Sequence, residues 1–492
     1  MTETTTEIDL ATVKSRAVKG VLTLTGRTFL LQIISFLGFF FLTILLKRVE
    51  FGLFFAVSEL VAILGYFSDI GLAAALIQKK ETPSDKDVQS TFTIQQILVC
   101  SLLLITLILT PFLKNFYQIP ENGIWLLYSL MFGFFMASLK TIPSVLLERK
   151  LRFDLLAVVE IVESLVFYTI AVILAWKGFG INSYTMAIVA RGIIGVIMVY
   201  IFSPWSIGFA FEKESLKHLL KFGIPYQANS FLAVVKDRLM NVVLWKIIGV
   251  EGVGILGWAQ KWAQMPLRFV MDAVMKVTFP AFSRMQDDKE ELKKGLEKSI
   301  FFVSLLTFPL LAGMAFLSKS FIQLVPQYGK WEIALIALYL FLFNSAWGAI
   351  TTPLTNVLSA TGRIKTVFKL MVMWTVLTWI LFPTLGLKFG YNGVALASAL
   401  VSLSSIIALY IVKKYINFNL LSAIRSPLIA TLAMSVFLYV FLNLLPLLSV
   451  SLLGLITLIL LSSIIYLIVI FLLLGNSFLL DIKKLAASLR GK

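Results

Sequence analysis

The chain runs to 492 residues, is 59% hydrophobic with a mean hydropathy of +0.93, and carries only 14% charged residues, against about a quarter in soluble domains. That much apolar surface excludes a soluble protein, so the net charge of +17 points to cytoplasmic loops facing anionic lipid and not to nucleic acid. A single cysteine, Cys100, excludes a disulfide within the chain, and with His218 as the sole histidine there is no donor set for zinc or haem; no cofactor is expected.

In chain order, residues 1–19 are polar, acidic and then basic. No apolar core follows a basic start, so they read as a cytoplasmic segment and not a cleaved signal. A bilayer core of about 30 Å needs roughly 20 apolar residues per helix. Apolar runs predict fourteen spans: 20–46, 51–77, 89–112, 123–146, 155–176, 183–203, 219–246, 252–282, 297–317, 331–358, 366–387, 391–412, 426–447 and 450–475. Polar breaks such as KKETPSDKD at 79–87 and SRMQDDKEELKKG at 283–295 separate them. The first six spans form an N-lobe over 20–203. Residues 204–218 form a cytoplasmic linker, and spans 7–12 form a C-lobe over 219–412. Two further spans lie at 426–475, before a cytoplasmic tail at 476–492.

Fourteen spans demand that alternate loops differ in Lys and Arg. With Lys221, Lys246, Lys298 and Lys369 at span ends counted in the adjoining loops, the side holding both termini carries 27 of the 43 and the opposite side 8. The remaining 8 lie within spans. A miscounted helix would scramble this parity, so both termini are expected in the cytoplasm of a cell-membrane protein.

The chain also resembles itself. GFGINSYTMA at 178–187 and KFGYNGVALA at 388–397 stand 210 residues apart. That offset pairs Gly180 with Gly390, Asn182 with Asn392 and Pro143 with Pro353. Gly20 and Gly52 match Gly223 and Gly254 at offsets of 203 and 202. Spans 1–6 are therefore expected to repeat as spans 7–12. Six being even, the copies share one orientation and an axis along the membrane normal. Pro143 and Pro353 are candidate hinges or, equally, static kinks.

Span 8 holds Lys261, Arg268, Asp272 and Lys276 at spacings that put them on one helical face. A charge at bilayer depth costs about 2.5–3.5 kcal/mol on insertion scales, so such a stripe must face protein or water. The other intramembrane charges are Arg27, Glu59, Asp69, Lys140, Glu160, Glu163 and Arg191, with Lys236, Asp237 and Arg238 in span 7. Spans 9–14 carry almost none. This predicts a hydrated, net cationic cavity between the lobes, suited to a phosphate-bearing anion. Candidate substrate-binding residues are Arg27, Lys140, Arg191, Lys236, Arg238, Lys261 and Arg268. Glu59, Asp69, Asp237 and Asp272 are either ion-coupling sites or charge partners. More modest roles stay open. Asp237 can neutralise Lys236 or Arg238, Glu160 and Glu163 can pair with Arg149 or Arg152, Asp69 can cap span 2, and Lys140 and Lys276 can snorkel.

EFGLFFAVSELVAILGYFSDIGLAAALIQKKE at 50–81 and MPLRFVMDAVMKVTFPAFSRMQDD at 265–288, with YGKW at 328–331 and SATGR at 359–363, resemble the signatures of Wzx-type polysaccharide flippases. These belong to the multidrug/oligosaccharidyl-lipid/polysaccharide exporter superfamily, and the colanic- and teichuronic-acid exporters are the most similar subgroup. The resemblance spans roughly residues 10–420. It implies an all-α integral membrane fold: two six-helix bundles, two extra C-terminal helices and alternating access. The implied substrate is a polyprenyl-pyrophosphate-linked oligosaccharide, moved to the outer leaflet for surface polysaccharide assembly. The implied partners are membrane lipids and, downstream, a polymerase and assembly proteins. A lipid-linked peptidoglycan precursor flippase and an ion-coupled multidrug exporter are the rivals in the same superfamily. A membrane glycosyltransferase or polymerase needs a large extramembrane loop with catalytic carboxylates, which this sequence lacks; a non-enzymatic role is expected.

Overall fold

In hydrocarbon no water satisfies a peptide N–H or C=O, so apolar runs of this length close their hydrogen bonds within helices. The computed structural model describes residues 10–68, 71–79, 81–212, 231–445 and 450–475, with the side chains of all of these except 10–25 and 273, and the regular elements in this set are all helices, without a strand. The helices are α1 (Leu10–Leu45), α2 (Arg48–Phe67), α3 (Leu72–Gln78), α4 (Asp85–Tyr117), α5 (Glu121–Arg149), α6 (Phe153–Trp176) and α7 (Asn182–Phe202). A π-turn at Val235–Leu239 leads into α8 (Met240–Arg284) and α9 (Lys289–Leu324). A 3₁₀ segment, Pro326–Ala334, precedes α10 (Leu335–Ala360), α11 (Ile364–Leu403), α12 (Ile406–Ile416), α13 (Leu420–Leu444) and α14 (Leu452–Leu474).

Among the described residues, twelve helical stretches are long and apolar enough to cross a membrane. Two of them contain a glycine outside helical geometry, Gly249 (φ 72°) in α8 and Gly390 (φ 59°) in α11. Each divides its stretch into two spans, and the fourteen expected spans are recovered. Gly180, which the 210-residue offset pairs with Gly390, also has positive φ, at 54°. The repeat is thus visible as two equivalent chain reversals. Pro143 and Pro353 are likewise alike, each buried inside an unbroken helix.

One expectation is corrected. Residues 51–77 do not form a continuous span. The Ser68 hydroxyl donates back to the Gly65 carbonyl at 2.9 Å, and Gly71 starts α3 from the left-handed region at φ 75°, which glycine enters at no steric cost. The end of α3 then leaves carbonyls without intrahelical donors. Arg149 of α5 supplies them, donating to the carbonyls of Leu76, Ile77, Lys79 and Glu81 at 2.6–3.1 Å.

The chain forms two compact units, Met1–Gly254 and Ile255–Lys492. In the first, α7 packs on α5 and α6, and α1 packs on α6. Its core joins Leu42, Leu53, Val57, Leu127, Ala171, Tyr184 and Trp245. Gly52 of α2 meets the start of α8 backbone to backbone: a Cβ at 52 would lie 2.0 Å from the Val250 carbonyl oxygen. Arg48 pairs with Glu251 at 2.9 Å beside it. In the second unit, α9 packs on α10 and α13, α10 on α11, and α13 on α14. Phe282, from the FPAFSR run, is buried with Leu292, Leu296, Ile300, Leu354 and Val412.

Candidate functional site

The charged side chains of the first unit are brought together in pairs, from helices far apart in sequence. Arg27 of α1 meets Glu160 of α6 at 3.1 Å. Glu163, one turn further along α6, is buried and holds two cations, Lys140 of α5 and Arg191 of α7, the latter at 3.5 Å. Gly195 of α7 makes room for that carboxylate: a Cβ there would lie 1.9 Å from Glu163 Oε1. Arg191 also lies over the Phe167 ring, 5.9 Å from its centroid. Beside this cluster, Tyr168 exchanges a hydrogen bond with Ser35 at 2.9 Å and stacks where Gly38 has no side chain, which fixes α1 against α6.

The KDR run of span 7 lies in the π-turn. Such turns insert one residue into the α-helical ladder and recur at functional positions. Arg238 reaches Glu59 of α2 at 2.9 Å, and Lys236 pairs with Asp237 at 3.3 Å. Of the two cations the sequence offered Asp237, Lys236 is the one it meets, and Arg238 has a partner on another helix. Glu160 and Glu163 do not pair with Arg149 or Arg152 as the sequence allowed. Arg149 is taken up by the α3 carbonyls, and Arg152 pairs with Asp154 at 3.1 Å. Lys140 does not snorkel but turns to Glu163. Asp69 lies outside the described residues, as do His218 and Gly223.

The stripe on α8 is built differently. Ala259, Ala263 and Val270 form the buried side of this helix. Lys261 is half-buried, while Arg268, Asp272 and Lys276 are exposed. Arg268 makes its side-chain hydrogen bond with a neutral group, donating to Gln264 Oε1 at 2.9 Å one turn earlier. Gln264 is a site neighbour that charge counting misses, although its i−4 spacing to Arg268 is a visible signal.

The other quoted words take structural roles around this helix. Tyr328 and Trp331 of YGKW are fully buried, and Trp331 stacks on Trp258 of α8 with centroids 5.2 Å apart and planes 5° from parallel. Asn356 of α10 donates to Thr278 Oγ1 of α8 at 2.9 Å. Arg363 of SATGR covers the Tyr415 ring at 3.6 Å, just after Gly362 turns the chain at φ 74°. The first two of these contacts hold the span that carries the stripe. Chemically, the first unit presents cations in contact with carboxylates, with Glu163 shared between two of them. α8 presents an open cationic stripe suited to an oxyanion.

The family described as polysaccharide biosynthesis protein matches residues 41–332. The chain is 26% identical over 393 residues to the lipopolysaccharide biosynthesis protein WzxC of Escherichia coli strain K12, an alignment covering 77% of this chain and 78% of that protein. It is 22% identical over 303 residues to the teichuronic acid biosynthesis protein TuaB of Bacillus subtilis strain 168, covering 61% and 62%. Among solved structures, the lipid II flippase MurJ in an inward closed conformation superposes with a TM-score of 0.72 at 17% identity, over 93% of this chain and 100% of that one. An inward-facing multidrug resistance MATE family transporter of the MOP superfamily gives 0.52 at 14% identity, over 80% and 94%. At such identities these two likenesses establish the fold.

Proposed function

The chain belongs to the polysaccharide biosynthesis protein family, and from that premise we propose that it is a flippase. It carries a polyprenyl-pyrophosphate-linked oligosaccharide from the cytoplasmic to the outer leaflet, for assembly of a surface polysaccharide. The relatives named for lipopolysaccharide and teichuronic acid biosynthesis support the substrate class. The role is transport, with both termini in the cytoplasm and a polymerase acting downstream.

The observation that carries the site reading is the α8 stripe. Arg268, Asp272 and Lys276 are exposed on a helix of membrane-crossing length. Charges there are tolerated only against water or substrate. Lys261 and Arg268 receive the pyrophosphate, Lys as a point charge and Arg as a planar fork. Arg27, Lys140, Arg191, Lys236 and Arg238 of the first unit are the further substrate-binding residues of this reading, for the head group and acidic sugars, and the lipid tail stays in the bilayer. Substrate oxyanions compete there with Glu59, Glu160 and Glu163 for cations already paired.

The K261Q/R268Q double variant tests this. Surface polymer is expected to fall to background while the protein still inserts and accumulates in the membrane. Full export by that variant would remove the stripe from the pathway. Reconstituted wild-type protein that failed to move a fluorescent polyprenyl-pyrophosphate oligosaccharide between leaflets would remove the flippase reading itself.

A further inference from the structure

The segment that leaves α7, Trp205–Ser206–Ile207–Gly208–Phe209–Ala210–Phe211–Glu212, alternates apolar and small or polar residues with the period of an extended strand. It is not helical, and it is tied along the first turns of α4. The Ala210 N–H donates to Thr93 Oγ1 at 3.1 Å and the Glu212 N–H to Ser90 Oγ at 3.2 Å. Gly208 lies against Gln89 so closely that a Cβ would fall 2.4 Å from its Nε2. Trp205 packs into the core cluster of Leu72, Val88, Phe92 and Ile142. Glu212 pairs with Lys86 at 3.5 Å.

The even-numbered positions from 208 therefore face α4, and the odd-numbered side turns outward, with Phe209 keeping ring contact with the buried Phe92 at 5.9 Å. Ile207, Phe209 and Phe211 are 55%, 73% and 67% exposed. An apolar row this bare is unusual on a water-facing loop. Its position on α4 supplies the explanation. Ser90 and Thr93 share a helical face with Ile97, Leu104 and Ile108, at successive steps of three, four, seven and four residues. Those three aliphatic side chains are among the most exposed on α4, as a lipid-facing surface requires. Between residues 90 and 108 the polar positions on this face are Ser90, Thr93 and the small Ser101, and the strap covers the first two. Phe209 stands level with Thr93, about 6 Å before Ile97 at 1.5 Å per residue.

We infer that residues 205–211 are an interfacial strap: Ile207, Phe209 and Phe211 enter the boundary between head groups and acyl chains, and so prolong the lipid-facing surface of α4 past its polar start. In the orientation given by the charge bias this is the cytoplasmic leaflet. Aromatic side chains favour that depth. The Lys86–Glu212 pair marks the aqueous edge. This inference is independent of the substrate and of the transport reading.

Cys100 is the chain's one cysteine, so a C100S background accepts a nitroxide at F209C in the full-length protein. The test is continuous-wave EPR power saturation in vesicles of phosphatidylethanolamine and phosphatidylglycerol, with oxygen and a water-soluble nickel chelate as relaxants. The 209 label is expected to respond more to oxygen than to nickel and to lie ~5–10 Å below the phosphates. K86C is the aqueous control and should respond to nickel. A nickel-dominated response at 209 would put the row in water. Protection from both relaxants would mean that protein covers it, from a second copy or from residues 213–230. Either result overturns the inference. I207C and F211C give the same readout should F209C fail to insert.

Discussion

The two units handle intramembrane charge in opposite ways. In the first, Arg27, Lys140, Arg191 and Arg238 are each matched by a carboxylate on another helix. In the second, Arg268 rests on a neutral amide of its own helix. A cation matched by an acid ties helices together but offers a passing anion only what competition can win. A cation matched by an amide keeps its full charge. Cations in the first unit should therefore be felt mainly in stability, and those on α8 mainly in export.

The sharpest test of that contrast is E163Q, which removes the shared partner of Lys140 and Arg191. Breaking a buried pair costs about 3–5 kcal/mol. Arg191 is half exposed, so the lower end of that range is expected in thermal unfolding of the purified protein. A loss under ~1 kcal/mol, within the reach of ordinary surface pairs, would erase the distinction. R268Q should do the reverse. Its unfolding is expected to stay within ~0.5 kcal/mol of wild type, as for exposed sites generally. Export should fall at least about tenfold, equivalent to ~1.4 kcal/mol of binding. If the melting temperature dropped instead, α8 would belong with the first unit.

A charge exchange probes the pair at the π-turn. E59R and R238E should each destabilise, and the E59R/R238E double variant should recover a coupling of ~0.5–1 kcal/mol. Purely additive losses would show that the 2.9 Å contact contributes nothing measurable. The smallest effect belongs to R152Q. Arg152 and Asp154 are both about half exposed, so its loss should move stability by at most ~1 kcal/mol and leave export unchanged.

Much of this was legible in the sequence. Apolar length marks the spans, and the 210-residue offset marks Gly180 and Gly390 before their shared positive φ is seen. The stripe on α8 was readable because it lies within one helix, where spacing alone decides the face. Partner choice was not readable. Arg27 and Glu160 stand 133 residues apart, and only the packing of α1 on α6 brings them together. The break after Phe67 was hidden for a related reason. SDIGLAAALIQ remains apolar enough to pass for a continuing span, and the Arg149 side chain that donates to the carbonyls at the end of α3 comes from two helices later. YGKW, a word of the family signature with no role readable in the sequence, is packing: Tyr328 and Trp331 are fully buried.

The π-turn at Val235–Leu239 has a mechanical meaning. It stores one residue more than the ladder on either side of it. Were it to relax to α-geometry, residues 231–234 just before it would rotate by roughly 100° and shift by about 1.5 Å along the axis relative to α8. Arg238 sits inside this turn, latched to Glu59. The one place where this helix holds a spare residue is thus also the place where it is tied to α2 by charge.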